Sequence, residues 1–156
     1  MCLKLVEVSE DNEQYYIEKI VNLVKYHKQY AEKMGISDKV VINYSNADAV
    51  KHFNDPFYRH FVILNDKNPC GVLQIKIKQS SFDNNQSLHI CKIWSEESIS
   101  GVLRFVINKL KELFPEVNSL ELECWYDLPA NEIYEHLGFQ CFCKNYVKKY
   151  EKNLTN

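Results

Sequence analysis

Apolar residues alternate from Leu3 to Val8 and then recur at helical spacing, so the chain opens as a short strand followed by a long helix. Asp11 or Asn12 can cap that helix, Ile17, Ile20, Val21, Val24 and Ala31 share one face, and Gly35 can end it after Met34. Tyr15, Tyr16, Tyr26, Tyr30 and His27 read as a flank of half-buried rings, with a substrate-facing wall as the alternative. A second helix is predicted from Asn46 to Phe53, closed by Asp55-Pro56. Two β-like runs, Arg59 to Leu64 and Gly71 to Lys78, flank the polar stretch Asn65 to Pro69 and predict a hairpin. Ser80 to Asn85 is a further turn, and Ser87 to Trp94 the next strand. After the polar, acidic segment Ser95 to Ser100, Gly101 opens a helix carrying Leu103, Val106, Leu110 and Phe114 on one face. A strand from Ser119 to Tyr126, a helix from Leu128 or Pro129 to Leu137 and a strand from Cys141 to Tyr150 complete the pattern.

The order is β-α-α-β-β-β-α-β-α-β. Hairpins demand antiparallel pairing and the crossover helix suits a parallel pair, which predicts an α+β fold: a mixed sheet with helices on both faces. No repeat, linker or shift in composition divides the 156 residues, so a single domain over 1–156 is expected. A length of 156 residues is enough to bury a core without staples.

Composition narrows the chemistry. A net charge of −2 and only two arginines, Arg59 and Arg104, among 19 basic residues argue against a nucleic-acid partner. The four glycines (Gly35, Gly71, Gly101 and Gly138) lie too far apart for a P-loop or a dinucleotide fingerprint. Neither G-x-S-x-G nor H-E-x-x-H occurs. No apolar run approaches the roughly 18 residues of a membrane span, and the quickly charged N-terminus does not read as a signal peptide. A cytoplasmic protein with no membrane partner is therefore expected. The six cysteines contain no C-x-x-C pair and read as reduced thiols. Cys141 and Cys143 would share one strand face as a buried core pair, and no metal is expected. A Cys-rich metal or redox protein would require at least two thiols to converge.

The stretch Asp127-Leu128-Pro129-Ala130-Asn131-Glu132-Ile133-Tyr134-Glu135-His136-Leu137-Gly138-Phe139 resembles the N-x-x-A-x-x-L-Y-E-K-L-G-F stretch of the GNAT N-acetyltransferase family. Ala130, Tyr134, Glu135, Leu137, Gly138 and Phe139 match in register. The hairpin Phe61-Val62-Ile63-Leu64 … Cys70-Gly71-Val72-Leu73-Gln74-Ile75 is similar to the family's second and third strands, and the element order agrees over nearly the whole chain.

The resemblance implies a GNAT-like domain that moves an acetyl group from acetyl-CoA, as co-substrate, to the amine of a small molecule or peptide, without a metal. The amine would attack the thioester directly in a ternary complex. Tyr134 would serve the departing thiolate, a phenol being protonated at neutral pH. Backbone amides near Ile93 and Trp94 would polarise the thioester carbonyl. The pyrophosphate would lie against Ser98, Ser100, Gly101, Val102 and Leu103 at a helix start. Asp127 and Ala130 would line the cofactor from the last helix. His89 and Glu123 are the candidates for the general base, with Glu121 beside them. His27, His52 and His60 show no ligand spacing, and His136 reads as surface.

This sequence departs from the family's pyrophosphate loop, R/Q-x-x-G-x-G/A. Ser98 stands where Arg or Gln is expected, Leu103 replaces a small residue, Glu96 and Glu97 carry the wrong sign for a polyanion, and Asp127 replaces an asparagine. These departures support an alternative: a catalytically silent ligand-binding or protein-interaction module on the same fold. The acceptor-shaping segments, Gly35 to Ser45 and Gln79 to Gln86, do not identify the amine, and the family's habits leave a homodimer open.

Overall fold

A computed structural model describes residues 2–35, 43–124, 128–142 and 146. Its elements are β1 (Leu3–Glu7), α1 (Glu13–Lys33), α2 (Asn46–Val50), β2 (Tyr58–Asn65), β3 (Asn68–Gln79), β4 (Gln86–Ser95), α3 (Ile99–Leu113), β5 (Ser119–Leu122) and α4 (Ala130–His136). The strands form one five-stranded sheet in the order β1-β2-β3-β4-β5. The first four run antiparallel to their neighbours, and β5 joins β4 in parallel through the α3 crossover.

Strand alternation sends side chains to two cores. Val62 and Val72 face α1 and α2, where Tyr16, Ile20, Val21 and Ala49 close over them. Phe61, Ile63, Leu73, Ile75, Leu88 and Ile90 face the other way, against Val102, Leu103, Val106 and Leu110 of α3. Helices therefore cover both faces, as the apolar pattern predicts.

Several boundaries differ from expectation. The β2–β3 loop is two residues long, not five: Asn65 pairs with Asn68, and Asp66 takes φ 58°, a left-handed conformation that aspartate tolerates. Helix α2 ends at Val50, not Phe53, although Ser45 and Asp48 build a full capping box at its start. Helix α3 begins at Ile99, with Ser98 as N-cap, so Gly101 lies inside its first turn instead of opening it. Tyr16 is no flank decoration. It is fully buried, and its hydroxyl shares a 2.9 Å hydrogen bond with His60 Nδ1. Strand β5 stops at Leu122, short of Tyr126, which lies outside the described residues together with Trp125 and Asp127. Cys141 is exposed in irregular chain instead of buried on a strand; Cys143 and most of the expected last strand lie outside the described residues.

Two glycines are demanded by geometry. A Cβ on Gly71 would stand 2.6 Å from the Trp94 carbonyl oxygen, so only glycine lets β3 approach β4 this closely. Gly138 has φ +91° and breaks the chain after α4, with Phe139 N–H donating to the Tyr134 carbonyl at 3.0 Å.

Candidate active site

The site begins with a defect in the sheet. β4 pairs with β5 only from Ser87↔Ser119 to Ile90↔Leu122. On its other edge β4 stays paired with β3 as far as Gly71↔Ser95, but the register slips: Gln74 meets Lys92 and Ile75 meets Ile90, leaving Cys91 as the extra residue. From Cys91 to Ser95 the β5-side edge of β4 has no strand partner among the described residues. Ile93 and Trp94 lie on this stretch, with Ile93 packed toward the α3 core and Trp94 toward the α1 core. The open backbone edge can hydrogen-bond an extended, amide-bearing ligand as a missing strand would.

At the end of this edge the chain turns into α3. Its first intrahelical bond runs from Val102 N–H to the Ser98 carbonyl, 3.2 Å. The amides of Ile99, Ser100 and Gly101 therefore have no carbonyl within the helix to receive them. Ser98, Ser100 and Gly101 are exposed, the two serine hydroxyls lie 3.2 Å apart, and no atom comes within 4 Å of where a Gly101 Cβ would sit. Three outward amides at the positive end of a 15-residue helix form an anion cradle that does not depend on side-chain type.

The departures from the family loop look different in three dimensions. The Leu103 side chain is fully buried against the sheet, as is that of Val102, whose amide is already committed to Ser98. Both anchor the helix from below. The Glu97 carboxylate accepts from Asn65 Nδ2 at 3.1 Å, and Glu96 donates its amide to the Cys70 carbonyl at 2.8 Å. The carboxylate of Glu97 is thus tied to the β2–β3 hairpin.

Tyr134, on α4, packs against the α3-side core with its ring edge toward Phe139. Burial, aided by the nearby Cys124 thiol, pushes its phenol up to about 12. Ala130 is the first residue of the same helix. Asp127 lies outside the described residues.

The base candidates occupy the opposite face. His89 alternates with the core residues Leu88 and Ile90 and stands directly across from Lys76 on β3 and Glu121 on β5. Burial lowers its pKa and the Lys78 charge lowers it further, against the opposing pull of Glu123 and Glu121. Its Nδ1 is buried without a hydrogen-bond partner among the described residues. A histidine kept neutral is poised to accept a proton. Glu123 is exposed, whereas Glu121 is buried with Oε2 at 3.2 Å from Lys78 Nζ. Burial pushes the Glu121 carboxyl up, but the nearby Ser81 and Ser87 hydroxyls and the Lys78 ammonium outweigh it and hold the pKa below the ordinary value. His136 is exposed.

The fold also gathers residues that the sequence did not single out. Lys92 is half-buried beside the Cys91 bulge, donates to Gln74 Oε1 at 3.1 Å and lies 5.5 Å from the centre of the Tyr44 ring. His60 donates from Nε2 to the His52 carbonyl at 3.2 Å, which leaves Nδ1 to accept from Tyr16. The visible signal for Lys92 was a lysine set between Ile90-Cys91 and Ile93-Trp94, but its orientation depends on the bulge. Among the described residues no three His, Cys, Asp or Glu side chains form a metal-holding group, and no helix is long and apolar enough to cross a membrane.

No family model and no curated protein matches the sequence. Solved structures match over nearly the whole chain. One is the ribosomal-protein-alanine N-acetyltransferase of Brucella melitensis biovar Abortus 2308, at 11% identity and TM-score 0.64, covering 96% of this chain and 100% of that one. Another is AAC(6')-Iy bound to the bisubstrate analogue CoA-S-monomethyl-acetylneamine, at 11% identity and TM-score 0.68, covering 97% and 99%. A third is an aminoglycoside acetyltransferase from an uncultured soil metagenomic sample, at 14% identity and TM-score 0.61, covering 97% and 100%.

Proposed function

We propose, from the GNAT acetyltransferase fold that these likenesses establish, that this chain transfers an acetyl group from acetyl-CoA to an amine. The observation that carries the reading is the continuity of two features: the β4 edge from Cys91 to Ser95, unpaired among the described residues, and the three amides at the start of α3 with no carbonyl acceptor inside the helix. The first suits the amide-bearing pantetheine arm and the second the pyrophosphate. Both are backbone features, so the side-chain departures at Ser98 and Leu103 do not remove them.

The two faces of the sheet divide the chemistry. A neutral amine approaches from the α1 side, past His89, and its nitrogen attacks the thioester carbonyl carbon at the splay beside Ile93 and Trp94. Nearby backbone amides receive the developing oxyanion. The N–C bond forms, the C–S bond breaks, and the ammonium proton passes to His89 or Glu123, directly or through water. The thiolate departs toward the α3 side, where Tyr134 donates a hydrogen bond. A phenol pushed to about 12 holds its proton more firmly than an ordinary thiol of pKa about 8.5, so Tyr134 acts by hydrogen bonding and the thiolate takes its final proton from solvent.

The test is a thermal-unfolding scan with acetyl-CoA, using ATP as polyanion control. Ligand at about 100 times Kd adds roughly 2.7 kcal/mol, a shift of about 5–10 °C for a domain of this size. A shift with acetyl-CoA and not ATP supports the reading. No shift at millimolar acetyl-CoA refutes it in favour of a silent module on the same fold.

A further inference from the structure

Lys92 is a cation that the sheet defect itself places on the α1-side face. It follows the bulged Cys91 on β4 and precedes Ile93, so its Cα lies one peptide, about 3.8 Å, from the stretch assigned to the thioester. Its ammonium is half-buried against Gln74, itself only 2% exposed, and against the Tyr44 ring. Neither partner carries a charge. Among the described residues no carboxylate comes within ion-pair distance of Lys92, and a half-buried charge with no counter-charge is costly.

The surrounding groups deepen the imbalance. Lys51 after α2 opposes the Lys92 charge, and Lys76, two residues along β3 from Gln74, adds a further cation over the Tyr58 ring. The nearby carboxylates among the described residues are engaged elsewhere. Asp48 is held by Ser45 N–H and Oγ at 2.8 and 2.9 Å, Asp55 accepts from Phe57 N–H at 2.9 Å, and Glu121 faces Lys78. Glu123 is exposed on the β5 side. His27, His52 and His60 also border the cluster and are kept neutral by burial, so they add no further positive charge, and an imidazole supplies no negative one.

We propose that the acceptor is an amine that also carries an anionic group, bound at Lys92 with Lys51 and Lys76 at its rim while the amine reaches the thioester beside Ile93. This rests on the acetyl-transfer reading above and adds the substrate class. The clustered lysines repel a polycationic acceptor.

The experiment uses the full chain saturated with acetyl-CoA and measures thiol release and binding for matched amines. The probes are L-amino acids, 2-aminoethylphosphonate, the corresponding amino-acid amides, and diamines of equal length. The expected result is kcat/KM for an anionic amine at least about tenfold above its amide, with the diamine lowest. Carboxylate outranking phosphonate, or the reverse, identifies the anion. In Lys92→Gln the anionic-to-neutral ratio falls toward one through KM, and in the exposed Lys51→Gln it falls by a smaller factor. The ratio is internal to each variant, so partial misfolding cannot mimic its collapse. Amides or diamines used as well as the anionic amines overturn the proposal, as does a preference that survives Lys92→Gln. Stabilisation by acetyl-CoA with no anionic amine bound or acetylated overturns it too. Absence of any acetyl-CoA effect is a different failure, that of the transferase reading itself.

Discussion

Replacing Gly71 by alanine perturbs the site through the backbone of β4 alone and changes no side chain assigned to chemistry. The added methyl would lie 2.6 Å from Trp94 O, 3.1 Å from Ile63 Cδ1 and 3.3 Å from Ser95 Cα. The Ile63 methyl can rotate aside. The other two atoms are backbone, held in the β3–β4 ladder at Gly71↔Ser95 and Val72↔Trp94, so the strands must part by several tenths of an ångström. Overpacking of this kind costs about 1–3 kcal/mol, and a rigid neighbour puts Gly71→Ala at the upper end. At about 2–4 °C per kcal/mol, Tm should fall by about 6–12 °C. The strand displaced is the one assigned to the thioester, so the added stabilisation by acetyl-CoA should also shrink. Gly101→Ala is the control: its methyl meets nothing within 4 Å and the residue is helical, so Tm should rise by about 1–4 °C as helix propensity improves by roughly 0.5–1 kcal/mol. Paired calorimetric scans read both variants. Gly71→Ala melting within 1 °C of the parent would refute the close approach on which the β4 geometry rests.

Tyr134→Phe should lower kcat by about 100-fold with little change in acetyl-CoA stabilisation, because the lost hydrogen bond matters only as the thiolate forms; an unchanged kcat would assign the tyrosine to packing. Tyr16→Phe leaves His60 Nδ1 buried without a donor and should cost about 1–2 kcal/mol by denaturant unfolding, despite conserving the ring. His27, His60 and His89 all have lowered pKa values in the folded state, chiefly from burial. The unfolded chain therefore binds more protons as pH drops below about 6.5, and stability present at neutral pH is lost on that descent. Melting across pH 5 to 7.5 should show the fall, and His89→Gln should flatten it.

Much of the architecture is local information. The 3.6-residue spacing along Ile17 to Ala31, the alternation in Arg59 to Leu64 and Gly71 to Lys78, and the break at Gly138 each follow from side-chain periodicity and backbone sterics within a few residues. Those signals predict the mixed sheet, the helix on each face and the crossover to β5, and the motif around Tyr134 predicts the fold family. Ends of elements were less legible, because a two-residue turn at Asp66-Lys67 and the early start of α3 at Ile99 depend on which backbone groups find partners across space.

The site depends on contacts that periodicity does not encode. Nothing in Leu88-His89-Ile90-Cys91-Lys92 marks Cys91 as the extra residue; the slip shows only in the pairing across strands, with Gln74 opposite Lys92 and Ile75 opposite Ile90. That slip turns Lys92 toward Gln74 and frees the β4 edge. Leu103 reads in sequence as an obstacle to phosphate, yet the phase of α3 against the sheet buries it beneath the free amides. The burial of Tyr16 on His60 likewise follows from which turn of α1 lands over β2. The chain's own pattern determines that these strands and helices form, while long-range packing decides, among the described residues, which edge stays open and which charge has no counter-charge.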